Sequence, residues 1–122
     1  MNLDGFALPV KKLKGTDPVE TLDLSRKSLG VTSAVVIASL ISVNGGLTSL
    51  DLSNNALCGV VRTRDNISGT YTAEGITAIA DALRVNGALT ECNLQFNPCM
   101  DEEGEALIRK AMQGKAGFKL RI

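Results

Sequence analysis

The sequence predicts an α/β protein built from repeated strand–turn–helix units, and three observations carry that prediction. First, Val19-Glu-Thr-Leu22-Asp-Leu24-Ser, Leu47-Thr-Ser-Leu50-Asp-Leu52-Ser and Leu89-Thr-Glu-Cys92-Asn-Leu94-Gln share one pattern, apolar-x-x-apolar-x-apolar-x. Gly117-Phe-Lys-Leu120-Arg-Ile122 is a partial fourth copy. Second, the copies are regularly spaced: 28 residues from Leu22 to Leu50, 42 from Leu50 to Cys92 and 28 from Cys92 to Leu120, so the middle step is one period plus 14. Third, the apolar period switches between the copies from 2, that of a half-buried strand, to about 3.6, that of a helix.

Taken in chain order, residues 1–18 are expected to form an N-terminal cap and residues 19–122 the repeat domain of three full units plus a final strand. Pro9 fits a first helical turn, with Val10 and Leu13 facing the core, so 9–14 reads as a short helix with a strand as the competing reading. The strands centre on Leu22, Leu50, Cys92 and Leu120. Asn55 and Asn97 follow the second and third, where an amide can satisfy backbone groups as the chain turns out of a strand. Helices are expected where Ala34, Ile37, Ala38 and Ile41, then Ile76, Ile79, Ala80 and Leu83, then Leu107, Ile108, Ala111 and Met112 form apolar stripes. Val35 and Val36 weaken the local preference of the first helix. Asp101 places acid at a helix start, and Asn44-Gly45, Asn86-Gly87 and Gly114 supply helix ends. The extra residues, about 59–72, read as an inserted surface loop carrying Arg62, Arg64 and Tyr71.

Composition narrows the function. The 122 residues hold 13 basic and 13 acidic side chains, no histidine and no tryptophan. No net field draws the chain to nucleic acid or an anionic membrane. No stretch approaches the roughly 18 apolar residues of a membrane span. The first ten residues lack a basic start and an apolar run, so no secretory signal is expected and the cytoplasm is the expected compartment. Cys58, Cys92 and Cys99 are an odd number, and Cys92 and Cys99 fall at core positions of the repeat, so they read as reduced small hydrophobes and not a disulfide framework. Without histidine or a cysteine outside core and turn positions, no catalytic group, metal site or cofactor is expected.

These repeats resemble the leucine-rich-repeat superfamily, and the 28-residue unit with a full helix is similar to its ribonuclease-inhibitor-type class; the resemblance spans about Val19 to Ile122. It implies a short right-handed α/β horseshoe segment, a solenoid with its parallel sheet on the concave side and helices on the convex side. It also implies a non-enzymatic role in binding another protein through the concave strands, as a scaffold or adaptor. The inserted loop is a departure from the pattern.

On that reading the residues alternating with the core positions face the concave side. The expected protein-binding residues are Asp23, Arg26, Asp51, Glu91, Asn93, Gln95, Phe96, Lys119 and Arg121, with Arg62, Arg64 and Tyr71 from the insertion. Asp23, Asp51, Asn93 and Arg121 would form one column on strands about 4.8 Å apart. The two neighbouring carboxylates would repel each other and suit a basic side chain or a cation. The face would grade from acidic to basic, with Phe96 as an apolar contact near its edge, and the expected partner is a protein with a basic patch. The alternative is a self-associating repeat unit or part of a longer array, a monomer or weak homodimer joined through its end strands.

Overall fold

The computed structural model describes residues 2–3, 6–7, 9–16, 19–62, 67–69, 72–97, 102–113 and 117–121. Arg64, Tyr71, Cys99, Asp101, Gly114 and Ile122 lie outside them. The chain opens with β1 (Asn2–Leu3) and β2 (Phe6–Ala7), an antiparallel pair, followed by α1 (Val10–Lys14). Then come β3 (Thr21–Asp23), α2 (Val31–Ile41) and β4 (Ser49–Asp51). An antiparallel hairpin, β5 (Val60–Arg62) and β6 (Ile67–Gly69), precedes α3 (Glu74–Val85). The described chain closes with β7 (Glu91–Asn93), α4 (Glu102–Ala111) and β8 (Lys119–Arg121).

The principal sheet is parallel and four-stranded, ordered β3-β4-β7-β8. Its register follows the sequence spacing: Leu22 lies beside Leu50, Leu50 beside Cys92 and Cys92 beside Leu120. Parallel neighbours need a crossover, and α2, α3 and α4 supply the three between these strands. The central residue of each of the first three strands is buried, while its neighbours are exposed or half-exposed. Leu22, Leu50 and Cys92 join Ala34, Ile37, Ile41, Ile76, Ile79, Leu83 and Ile108 in one core cluster, so the helices cover one face of the sheet. Among the described residues no helix covers the other face. Hydrogen bonds continue past the strands: Leu24 N donates to Asp51 O, Leu52 N to Asn93 O and Leu94 N to Arg121 O, at 2.7–2.8 Å.

The expected short helix is present over Val10–Lys14, with Pro9 as its N-cap residue and Leu13 fully buried. α1 ends at Gly15, whose φ of 96° is the left-handed conformation glycine tolerates. α3 ends where expected, with Asn86 as its capping residue, while α2 is capped by Ser42, two residues before Asn44; neither capping residue is left-handed. Buried asparagine amides serve the chain there instead. Asn86 Nδ2 donates to Ile41 O at 2.7 Å and Asn44 O at 3.1 Å, and its Oδ1 accepts from Ala88 N and Leu89 N. Asn44 repeats the arrangement one unit earlier, donating to Lys12 O and Leu13 O.

The expected surface loop is a correction. Val60 to Arg62 pair with Ile67 to Gly69, and Val60 is buried. β-Branched Val60, Val61 and Ile67 favour extended backbone, and that preference outweighs the polar composition between them. Gly69, at φ 90°, approaches Gly59 O so closely that a Cβ there would lie 2.1 Å from it. Gly75 permits another close contact, since its Cβ would meet Leu57 O at 2.6 Å and Ala34 Cβ at 3.0 Å. α3 therefore sits tightly against the first turn of α2. Cys58, read from sequence as a turn position, is also fully buried.

Candidate functional site

The open face of the sheet is built from alternate strand residues, because the pleat sends their neighbours into the core. In register they form two columns: Thr21, Ser49, Glu91 and Lys119, then Asp23, Asp51, Asn93 and Arg121. A shallow groove of about 300 Å³ crosses the strands, lined by Asp23, Asp51, Glu91, Asn93 and Arg121 together with Thr21 and Ser49. Three carboxylates therefore share one depression.

The two aspartates are not simply solvated charges. Asp23 Oδ1 accepts from Ser25 N at 2.9 Å and Ser25 Oγ at 2.6 Å, and Asp51 Oδ1 accepts from Ser53 N and Oγ at the same distances. Asn93 Oδ1 accepts only the backbone bond, from Gln95 N at 3.0 Å. Each side chain thus closes the turn that leads out of its strand. The expected repulsion between Asp23 and Asp51 does not govern Asp23. The Ser25 hydroxyl and amide, with smaller help from Lys27 and Arg26, hold its carboxyl below the ordinary 3.8. Hydrogen bonds to the charged form exceed the opposing desolvation. Ser53, two residues beyond Asp51, is itself buried beneath its turn.

Arg121 reaches diagonally across the sheet, its Nε 3.8 Å from Glu91 Oε1. Both side chains are substantially exposed, so this ion pair contributes little stability. It does place the only basic side chain of the groove beside one of its three acids. Lys119 is exposed on the neighbouring column.

Arg26 and Phe96 do not lie on the sheet face. With Asn54 they occupy equivalent turn positions just past the strands, all left-handed, at φ of 56°, 60° and 56° for Arg26, Phe96 and Asn54. Asparagine tolerates that conformation, whereas a bulky aromatic residue is strained in it. Phe96 is also 73% exposed, so it forms an apolar point on the rim. Gln95 is half-exposed beside it. Arg62 ends β5, and Arg64 and Tyr71 fall outside the described residues.

Cys92 lies directly behind the groove. Burial, reinforced by the Asp51 and Glu91 carboxylates, pushes its thiol up to about 12, so it stays protonated and a poor nucleophile. Among the described residues no group of His, Cys, Asp and Glu is arranged to hold a metal ion. Nor is any described helix long and apolar enough to cross a membrane.

A second depression, absent from the sequence-based expectations, runs between α2 and α3 on the helical side, lined by Val35, Ala38, Ser42, Ala78, Ala82 and Val85 among others. Its signal was present in the chain, since residues 28–50 contain no charged side chain. No protein-family model matches this chain and no curated protein matches it, so the role of its surfaces is to be read from their own geometry.

Proposed function

We propose that this chain is a short leucine-rich-repeat solenoid of the ribonuclease-inhibitor type. On this reading it is a non-enzymatic adaptor that binds a basic segment of a protein partner across the open, concave face of its sheet. The reading is supported above all by the groove that gathers Asp23, Asp51 and Glu91 against a single cation, Arg121. A lysine or arginine side chain laid across the strands would meet carboxylates on successive units, and electrostatic complementarity of that kind sets specificity and speeds encounter. The Oδ1 hydrogen bonds hold Asp23 and Asp51 in place, so little side-chain freedom is lost on binding. Phe96 on the rim adds an apolar contact for a residue flanking the basic one. The fold identity is supported by the 28-residue register and by the asparagines that link successive units. Buried thiols at Cys58 and Cys92 suit a reducing compartment such as the cytoplasm. Nucleic acid and membrane surfaces are not partners on this reading, because the chain has no basic excess.

The test is selection of random dodecapeptides displayed on phage against the immobilised chain, followed by affinity measurement on the selected peptides. The variants are Asp51→Asn, which keeps the turn acceptor that Asn93 already uses, and Glu91→Gln. Enrichment of lysine- and arginine-containing peptides that bind the double variant about tenfold more weakly is expected. Selected peptides without basic residues, or equal affinity for the double variant, would refute this function.

A further inference from the structure

β3 and β8 are the outer strands of the four-stranded sheet, and among the described residues each is paired along one edge only. The β1–β2 pair forms a separate sheet and does not extend β3. The last unit is also less well covered than those before it. Leu50 and Cys92 are 1% and 0% exposed, but Leu120 at the equivalent position is half-buried, and so is Phe118. An interior strand has a strand packed on both flanks, whereas among the described residues β8 has one on a single flank.

The two ends are complementary. β3 presents Asp23 at the end of its column, and β8 presents Lys119 and Arg121. Hydrogen bonds from Ser25 keep Asp23 ionised. Every internal junction of the sheet uses one register, in which 21, 49, 91 and 119 align, as do 23, 51, 93 and 121. Applying that register once more to a second molecule sets opposite charges side by side. Like edges of two copies pair antiparallel: two β8 strands would set Lys119 opposite Arg121, which is unfavourable, and two β3 strands would set Asp23 opposite Thr21, which brings no opposite charge to it.

We propose that the chain stacks head to tail with a second copy of itself. The open edge of β8 takes β3 of the next molecule as an in-register parallel partner. Lys119 then lies opposite Thr21, Leu120 opposite Leu22 and Arg121 opposite Asp23. The contact is heterologous, since each copy uses a different surface on each side, so it produces a series of oligomers and not a closed dimer. Three-residue strands bury little area, and association is expected at roughly 100 µM to 1 mM.

Sedimentation equilibrium of the whole chain tests this, from about 20 µM to about 2 mM at low and high salt. The weight-average mass should climb above 12.8 kDa with concentration and fall back when salt is added. Asp23→Asn, which retains the turn acceptor, and Arg121→Gln should each require about three to five times more protein for the same mass. A mixture of the Thr21→Cys and Lys119→Cys proteins should cross-link on mild oxidation, since in-register parallel strands bring Cα atoms within disulfide range. The mixture of Thr21→Cys with Ser49→Cys should not exceed the wild-type background. A mass fixed at 12.8 kDa throughout would overturn the proposal. Association indifferent to both charge variants, or equal cross-linking in the two mixtures, would overturn it as well.

Discussion

Asn55 offers the sharpest test of what holds the units together. It is buried, and its amide serves two successive turns. Its Oδ1 accepts from Lys27 N at 3.0 Å and Leu29 N at 3.1 Å, while Nδ2 donates to Leu24 O at 2.9 Å, Leu52 O at 3.0 Å and Ser53 O at 3.2 Å. Asn55→Ala removes all of these at once, but the loss is not uniform. Leu52 O keeps a second donor, Asn97 Nδ2 at 3.1 Å. The amide of Leu29 and the carbonyl of Leu24 belong to buried residues, and Asn55 is their side-chain partner.

Leaving a buried polar group without its hydrogen bond destabilises by about 1–3 kcal/mol, so two such groups give about 2–6 kcal/mol. That is a large fraction of the roughly 5–15 kcal/mol that holds a domain folded. Urea denaturation followed by circular dichroism should show the midpoint falling with little change in slope. Asn54→Gly is the matched control. Asn54 sits one residue earlier at φ 56°, a conformation glycine adopts freely, so its replacement should change stability by less than about 1 kcal/mol. A loss below about 1 kcal/mol for Asn55→Ala, or equal losses for the two variants, would refute the bridging role.

Three further outcomes are expected. Burial pushes the native Cys92 thiol up from the ordinary 9.0 to about 12, so the native state loses stability as pH rises through that window, by up to about 1.4 kcal/mol per unit. Cys92→Ala should lack this slope in denaturation curves taken between about pH 8 and pH 10.5, and parallel slopes would contradict it. Ser25→Ala should raise the Asp23 carboxyl towards 3.8, because the serine hydroxyl is the first cause of its depression; NMR titration of the side chain reads this directly. Phe96→Asn relieves a bulky residue held at φ 60° and 73% exposed, and should raise stability by about 0.5–1 kcal/mol in the same urea assay; a loss would mean that the ring packs against the fold.

Much of the architecture was legible in the residue pattern. Leu22, Leu50, Cys92 and Leu120 align as their spacing predicts, and the stripes through Ile37, Ile79 and Ile108 are the buried faces of α2, α3 and α4. The polar column from Asp23 to Arg121 followed from the same alternation. Other features were written in local sequence but outweighed in reading by composition. Val60, Val61 and Ile67 marked the hairpin, and an aspartate two residues before a serine marked the turns that claim Asp23 and Asp51.

Periodicity by itself determined which face of each element is buried and which residues share a column, because a strand or helix exposes its side chains at a fixed angular step. Tertiary stacking alone decided what the polar residues do. Asn86 bonds Ile41 O and Asn55 bonds Leu24 O across separations of 45 and 31 residues, contacts that exist only once neighbouring units lie in register. Stacking likewise set Arg121 beside Glu91 and left Leu120 half-covered at an outer strand. A sequence pattern specifies the direction a side chain takes from its own backbone. Which backbone group or charge waits at the end of that direction depends on the next unit.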